Sequence, residues 1–245
     1  MRPAIALAIA AAIAAANAFG SATAAFAATP DETLAAAQKR LAGLESRTAR
    51  QQAVRDIENL QRIYGYYLDR GQWDQVADLF ASNGTLEAAQ RGVYVGKARI
   101  RKALEDMYGP PGLRQGHLDD HLQLQVLVTV APDGRTATAR ARELRLAGDV
   151  GGSSSWSVGT HENRFVKQNG VWKFQALHLF VDMATDYTKG WGKDAKPIET
   201  VSATLPPDRP PTVKYEAYPK ARVVPFSFKN PVTGKPAQYS GTTPK

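Results

Sequence analysis

Four histidines, His117, His121, His161 and His178, are the side chains of this sequence best suited to moving a proton. Imidazole changes charge near neutral pH, which matches it to acid–base work. His121 opens a run in which Leu122, Leu124, Val126, Val128 and Val130 alternate with Gln123, Gln125, Leu127 and Thr129. That period of two is a strand, and it puts His121, Gln123 and Gln125 on one face. A polar face of this kind opposite an apolar one suits a pocket wall or a solvated side. His117 lies four residues earlier, a spacing that pairs metal ligands on a helix. Gly116 before it and a strand after it disfavour that reading, and no metal is expected.

The other candidates follow from phase. Glu143 is in phase with Ala137, Ala139 and Ala141, small residues that leave room in front of a carboxylate. The neighbouring Arg140, Arg142 and Arg145 equally allow Glu143 a place in a surface charge ladder. His161 shares a strand face with Asn163. His178 is in phase with Trp172, Phe174, Ala176 and Phe180, as either a core or a pocket histidine. Tyr64 and Asp69 lie five apart on one helix, about 140° around its axis, so both can border a pocket at the helix end. Alternatively, Tyr64 is a core aromatic and Asp69 a turn residue.

Several chemistries are excluded. There is no cysteine, hence no disulfide, thiolate nucleophile or Cys-ligated metal. There is no Gly-x-Gly-x-x-Gly opening a helix, no phosphate-binding loop and no Gly-x-Ser-x-Gly elbow. The net charge of +8 is concentrated near the carboxyl end. Ten Lys or Arg against four Asp or Glu fall between Tyr187 and Lys245. They are scattered among prolines without interleaved aromatics, so nucleic acid is not an expected partner.

These residues need a scaffold, and the chain divides into four zones. Residues 1–27 read as a secretory signal: Met1-Arg2-Pro3, an apolar run to Phe19, and the small-x-small site Ala25-Phe26-Ala27. Export, to a bacterial periplasm, is therefore expected, with no membrane association after signal removal. Residues 28–50 read as a weakly amphipathic helical extension. Residues 51–188 carry the core domain. In it Val54, Ile57, Leu60, Ile63, Tyr64 and Tyr67 make one face of a helix ending near Asp69. A short helix with Trp73, Val76, Leu79 and Phe80 inward comes next. Ser82-Asn83-Gly84 reads as a turn, Thr85 to Val95 as two short strands, and Lys97 to Tyr108 as a helix. Three longer strands follow the one from His121, the last two joined by Asn169-Gly170, a favoured type I′ pair. Residues 189–245 hold ten of the fifteen prolines and no sustained periodicity, so they extend along a surface or stay mobile. Helices first and an antiparallel meander afterwards is an α+β layout.

The order of these pieces resembles the nuclear transport factor 2-like superfamily, in its SnoaL-like and scytalone-dehydratase-like branch. The resemblance is carried by Tyr64-x4-Asp69-Arg70-Gly71-Gln72-Trp73-Asp74, Leu79-Phe80, Gly92-x-Tyr94-x-Gly96-Lys97-x-x-Ile100, Gly159-Thr160-His161-Glu162-Asn163-Arg164-Phe165 and Gly170-Val171-Trp172-Lys173-Phe174. It implies a cone-shaped, cystatin-like α+β fold with helices on a curved antiparallel sheet, a deep pocket between them, and usually a dimer. It also implies acid–base chemistry without a cofactor. His121 or His117 would act with Asp69, Tyr64 would donate to a substrate oxygen, and His161 stands where the family usually has an aromatic residue. Glu143, His178, Asn163, Trp73 and Tyr67 would line a site for a bulky, aromatic small molecule, with Trp156 and Phe180. Fold does not fix function. The leading expectation is a lyase, by dehydration or by formaldehyde-releasing C–C cleavage. The alternatives are a non-catalytic periplasmic binding protein and an isomerase or cyclase.

Overall fold

The computed structural model describes residues 30–220, 224 and 226–236. The segment read as a secretory signal lies outside them. The first element, α1, is a helix of 40 residues, Pro30–Asp69, that runs unbroken through the point where two helices were expected. Two units divide within it, between Glu45 and Ser46. In the first, Leu34, Leu41 and Leu44 are exposed.

In the second unit the buried stripe of α1 is Ala53, Ile57, Gln61, Tyr64 and Leu68. Spacings of three and four keep these on one face. The stripe is rotated from the sequence expectation, since Ile63 faces outward and a glutamine occupies its centre. After α1 come α2 (Trp73–Asp78), β1 (Phe80–Ala88), β2 (Val93–Val95), α3 (Lys97–Tyr108), β3 (His117–Val130), β4 (Thr136–Asp149), β5 (Ser154–Gln168) and β6 (Val171–Asp186). Helix α3 has the expected bounds, with Gly96 and Gly109 at its ends.

The six strands form one sheet in the order β2-β1-β6-β5-β4-β3. The meander β3–β6 is antiparallel, and Asn169 and Gly170 both take the positive φ that a type I′ turn needs. Strand β1 joins the sheet by pairing parallel with β6. Ser82-Asn83-Gly84, expected as a turn, lies inside β1 where its register with β6 shifts.

The core sits between the helices and one sheet face. Phe174 is fully buried, with Phe165, Phe80 and Tyr64 at ring-centroid distances of 4.9, 5.2 and 5.7 Å. Truncating such a ring to alanine costs about 3–5 kcal/mol. The segment after β6 is tied to the sheet by main-chain bonds, including Lys196 N to Ala184 O, Gln90 N to Glu199 O, Val93 N to Arg209 O and Tyr218 N to Asp182 O. It therefore follows a surface, the first of its two expected behaviours. No helix among the described residues is long and apolar enough to cross a membrane.

Candidate functional site

The pairing of β3 with β4 sets His121 opposite Arg145 and Gln123 opposite Glu143. Along β4, residues 137, 139, 141 and 143 are all buried, so Glu143 faces the helices and not a surface ladder. The three alanines before it open the space that its side chain and partners fill.

Glu143 is 4% exposed and lies between two buried imidazoles. Its Oε1 is 3.6 Å from His121 Nδ1, and its Oε2 is 3.1 Å from His161 Nε2. Oε2 also accepts from Gln123 Nε2 at 2.8 Å. On the far side, His121 Nε2 is 3.2 Å from Asp119 Oδ1. Both ring nitrogens of His121 thus touch carboxylates without well-aligned hydrogen bonds. Arg145 grips Asp119 with two bonds of 2.6 and 2.9 Å. The result is a balanced quartet, two carboxylates against an imidazolium and a guanidinium. Charges leave water only when paired in this way.

The electrostatics follow from these contacts. Burial alone would lower the pKa of His121, but Asp119 and Glu143 reverse that and raise it to about 9. Burial would raise Glu143, yet His121 and His161 hold it well below the usual carboxylate range. Asp119 is likewise held low against its burial, by His121 and Arg145. Tyr108 packs edge-on to His121 at 5.0 Å, with the Arg145 guanidinium 4.9 Å from its ring. Burial, reinforced by the Glu143 charge, pushes the Tyr108 phenol far up, so it stays protonated and keeps an O–H to donate.

A cavity of about 180 Å³ opens between α3 and the inner sheet face. Glu143, Arg145 and Tyr108 line it together with Met107, Trp156, Leu179 and Val181. Lys196–Glu199, from the segment after β6, form a further part of its wall. A dry apolar cavity of about 150 Å³ accommodates benzene, so this one takes about one substituted ring.

The sequence candidates fall at different distances from this cavity. His121, His161 and Glu143 come together as described. Tyr64 is buried edge-on to His161, with ring centroids 6.0 Å apart. Burial raises its pKa first, with Tyr108 and Glu143 adding to it. Asn163 belongs to a chain of amides that ends on the carboxylate. Its Nδ2 donates to Gln61 Oε1 at 2.7 Å, and Gln61 Nε2 donates to Gln123 Oε1 at 2.7 Å. Asp69 Oδ1 accepts from the main-chain N–H of His121 at 2.6 Å, so it holds the strand and not the imidazole. Burial raises Asp69 despite that bond.

The remaining four lie apart. Trp73 donates its indole N–H to Gly109 O at 3.0 Å and packs on Tyr108. Tyr67 is half-buried against the core. His117 sits at the strand entrance, 2.8 Å from Asp149 and in contact with Arg114. His178 stacks on Phe180 at 3.8 Å and lies 3.6 Å from Glu87. The expected phase of His178 with Trp172 and Phe174 is broken. Arg164 pairs with Ala176 but Phe165 with Phe174, leaving Gln175 as an extra residue. A bulge of this kind reverses the alternation beyond it.

Asp119, Arg145 as its partner, Tyr108 and Gln61 are not among the site residues expected from the sequence. Asp119 carried a signal, being two residues before His121 on the same strand. Among the described residues no group of three or more His, Asp or Glu is placed to hold a metal ion.

Residues 49–178 match the family described as the SnoaL-like domain. No protein with a curated description matches the chain. Among solved structures, a candidate scytalone dehydratase from Novosphingobium aromaticivorans is similar over 58% of this chain and 91% of its own, at 22% identity and a TM-score of 0.50. A nuclear transport factor 2-like protein with a cystatin-like fold from the same organism covers 63% and 92%, at 22% identity and a TM-score of 0.44. ActVI-ORFA from Streptomyces coelicolor covers 52% and 95%, at 17% identity and a TM-score of 0.46. At 22% identity the likeness to the first of these is one of fold.

Proposed function

Because the chain belongs to the SnoaL-like domain family, we propose that it is a lyase that eliminates water from a small aromatic compound. Glu143 is the proton acceptor. The observation that carries this reading is an ionised, buried carboxylate on the wall of a ring-sized cavity, backed at 3.6 Å by an imidazolium.

Each group has a role set by its charge. At neutral pH His121 is protonated and has no lone pair to accept a proton. The acceptor role therefore moves to the carboxylate in front of it, and His121 holds that carboxylate ionised until substrate arrives. Glu143 takes a proton from the carbon next to the carbinol, and the freed electron pair forms the C=C bond. The carbinol oxygen leaves with the electrons of its C–O bond and takes the proton back from the Glu143 carboxyl, so water is released. Tyr108 and Arg145 donate to the departing oxygen as it gains charge. If the acidic proton is on a neighbouring hydroxymethyl oxygen, the same step breaks a C–C bond and releases formaldehyde with the water.

Incubating the purified protein with a panel of single-ring aryl carbinols, with and without a hydroxymethyl arm, tests the reading. Mass spectrometry follows loss of water, and a trapping reagent follows formaldehyde. Turnover should appear and fall by roughly 10²–10⁴-fold in Glu143→Gln, the usual range for a positioned proton acceptor. Recovery of every bound compound unchanged would make the protein a binding protein instead. The proposal includes export, for which amino-terminal sequencing of protein from its native host should read from Ala28. A start at Met1 would contradict that part alone.

A further inference from the structure

The family match ends at residue 178, yet one wall of the candidate cavity comes from Lys196–Glu199. This strap is fixed at both ends. Lys196 N donates to Ala184 O of β6 at 2.8 Å, and Glu199 O accepts from Gln90 N at 3.0 Å. Glu199 also pairs through its side chain with Arg91 at 2.7 Å. Arg91 is itself 9% exposed, and its other arm binds Asp106 of α3. The strap is thus latched to the sheet and the helix that bound the cavity.

One cation on the lining is left without a paired anion among the described residues. Glu143 is paired with His121, Glu199 with Arg91, and the charge of Arg145 is balanced by Asp119. Lys196, half-buried, makes no ion pair among the described residues. A second donor on the same lining is open. The indole Nε1 of Trp156 is buried and makes no hydrogen bond. A buried donor without an acceptor is costly, so a bound ligand that supplies one gains the full difference. Met107, Leu179 and Val181 offer the same space an apolar surface for a ring.

We propose that Lys196–Glu199 is a selectivity wall, admitting one aromatic ring whose acidic oxygen, carboxylate or phenolate, is received by Lys196 and Trp156. The inference rests on the preceding reading only in taking this cavity as the substrate site. Size and charge are selected by different parts of the wall. The latched strap limits the ring count, and the ammonium sets the preference for an anion.

Binding by the full chain tests both parts, measured calorimetrically with para-nitrobenzoate, para-nitrophenolate, nitrobenzene and a biphenylcarboxylate. At least one single-ring anion should bind about tenfold or more tightly than nitrobenzene, the scale of a hydrogen bond to a charged group. Which anion binds better identifies carboxylate or phenolate as the natural group. Lys196→Met and Lys196→Gln should both erase the preference while nitrobenzene affinity stays. The biphenylcarboxylate should bind at least tenfold more weakly than para-nitrobenzoate, and Glu199→Gln should narrow that gap. The proposal is overturned if no anion is preferred, if both Lys196 variants keep the preference, or if the biphenyl binds as well as the single ring. Failure of the lyase reading looks different, as turnover that is absent or indifferent to Glu143→Gln while the binding pattern stands.

Discussion

The carboxylate of Glu143 and the imidazole of His121 face each other at 3.6 Å, both buried within the sheet and helix layers. The pair is poised as an ion pair, since His121 is raised to about 9 and Glu143 is held low. Only Glu143 of the two lines the cavity. In the proposed reaction that asymmetry gives the carboxylate the reacting position and the histidine the supporting one.

Stability should depend on pH in a defined direction. His121 rises from an ordinary 6.5 to about 9 on folding, so its contribution is full below 6.5 and is lost as pH climbs through 9. Glu143 is depressed from an ordinary 4.5, so its contribution is present above 4.5 and is lost on acidification. Tm measured by calorimetry should fall by several degrees between about pH 6 and pH 9.5. A Tm that is flat or rising across that window would remove the ion pair from the account.

Asp119→Asn should lower the pKa of His121, because the first of its two carboxylate partners is neutralised. The alkaline loss of stability should then begin at lower pH. Arg145 also loses the anion it grips with two bonds, so Tm at neutral pH should drop. An alkaline limb unmoved by the substitution would mean that Asp119 does not act on His121.

Gly65→Ala should be destabilising although alanine is the better helix former. A Cβ there would come within 2.6 Å of the His121 carbonyl oxygen and 2.9 Å of Gln123 Cγ. The propensity gain is about 1 kcal/mol and overpacking costs about 1–3 kcal/mol, so the clash with backbone wins. Gly43→Ala, in the same helix with nothing within 4 Å, should be neutral or stabilising. Urea unfolding of the two variants compares them directly, and equal effects would contradict the close approach of α1 to β3.

Gln61→Leu removes the centre of the amide chain and leaves Asn163 Nδ2 and Gln123 Oε1 without their partners. Each orphaned group costs about 1–3 kcal/mol, despite the apolar gain of leucine. Denaturant titration should show a loss of that order. A variant as stable as the parent would mean that the chain contributes nothing to holding Gln123 on Glu143.

Much of this was legible in the sequence, and the gaps have physical causes. Helix α3 and the β5–β6 hairpin follow from local periodicity and turn residues, and both stand where expected. Glu143 could be placed by phase with three alanines, because β4 stays regular that far. His178 could not, because the extra Gln175 changes which face it reaches without changing the residue pattern. The role of Asp119 depends on register, which sets Arg145 opposite His121 across two strands. Gln61 has no signal of its own in the sequence, because its role depends on partners on β3 and β5. The segment after β6 has no periodicity because it is ordered by main-chain bonds to strand ends, not by a face of its own.

The most direct test of the Glu143–His121 pair needs no substrate. Imidazole resonances of His121, followed by NMR across pH, should titrate at about 9 in the parent protein and move to lower pH in Glu143→Gln. Titration of His121 at or below its ordinary 6.5 in the parent would contradict the ion pair, and with it the assignment of Glu143 as an ionised acceptor.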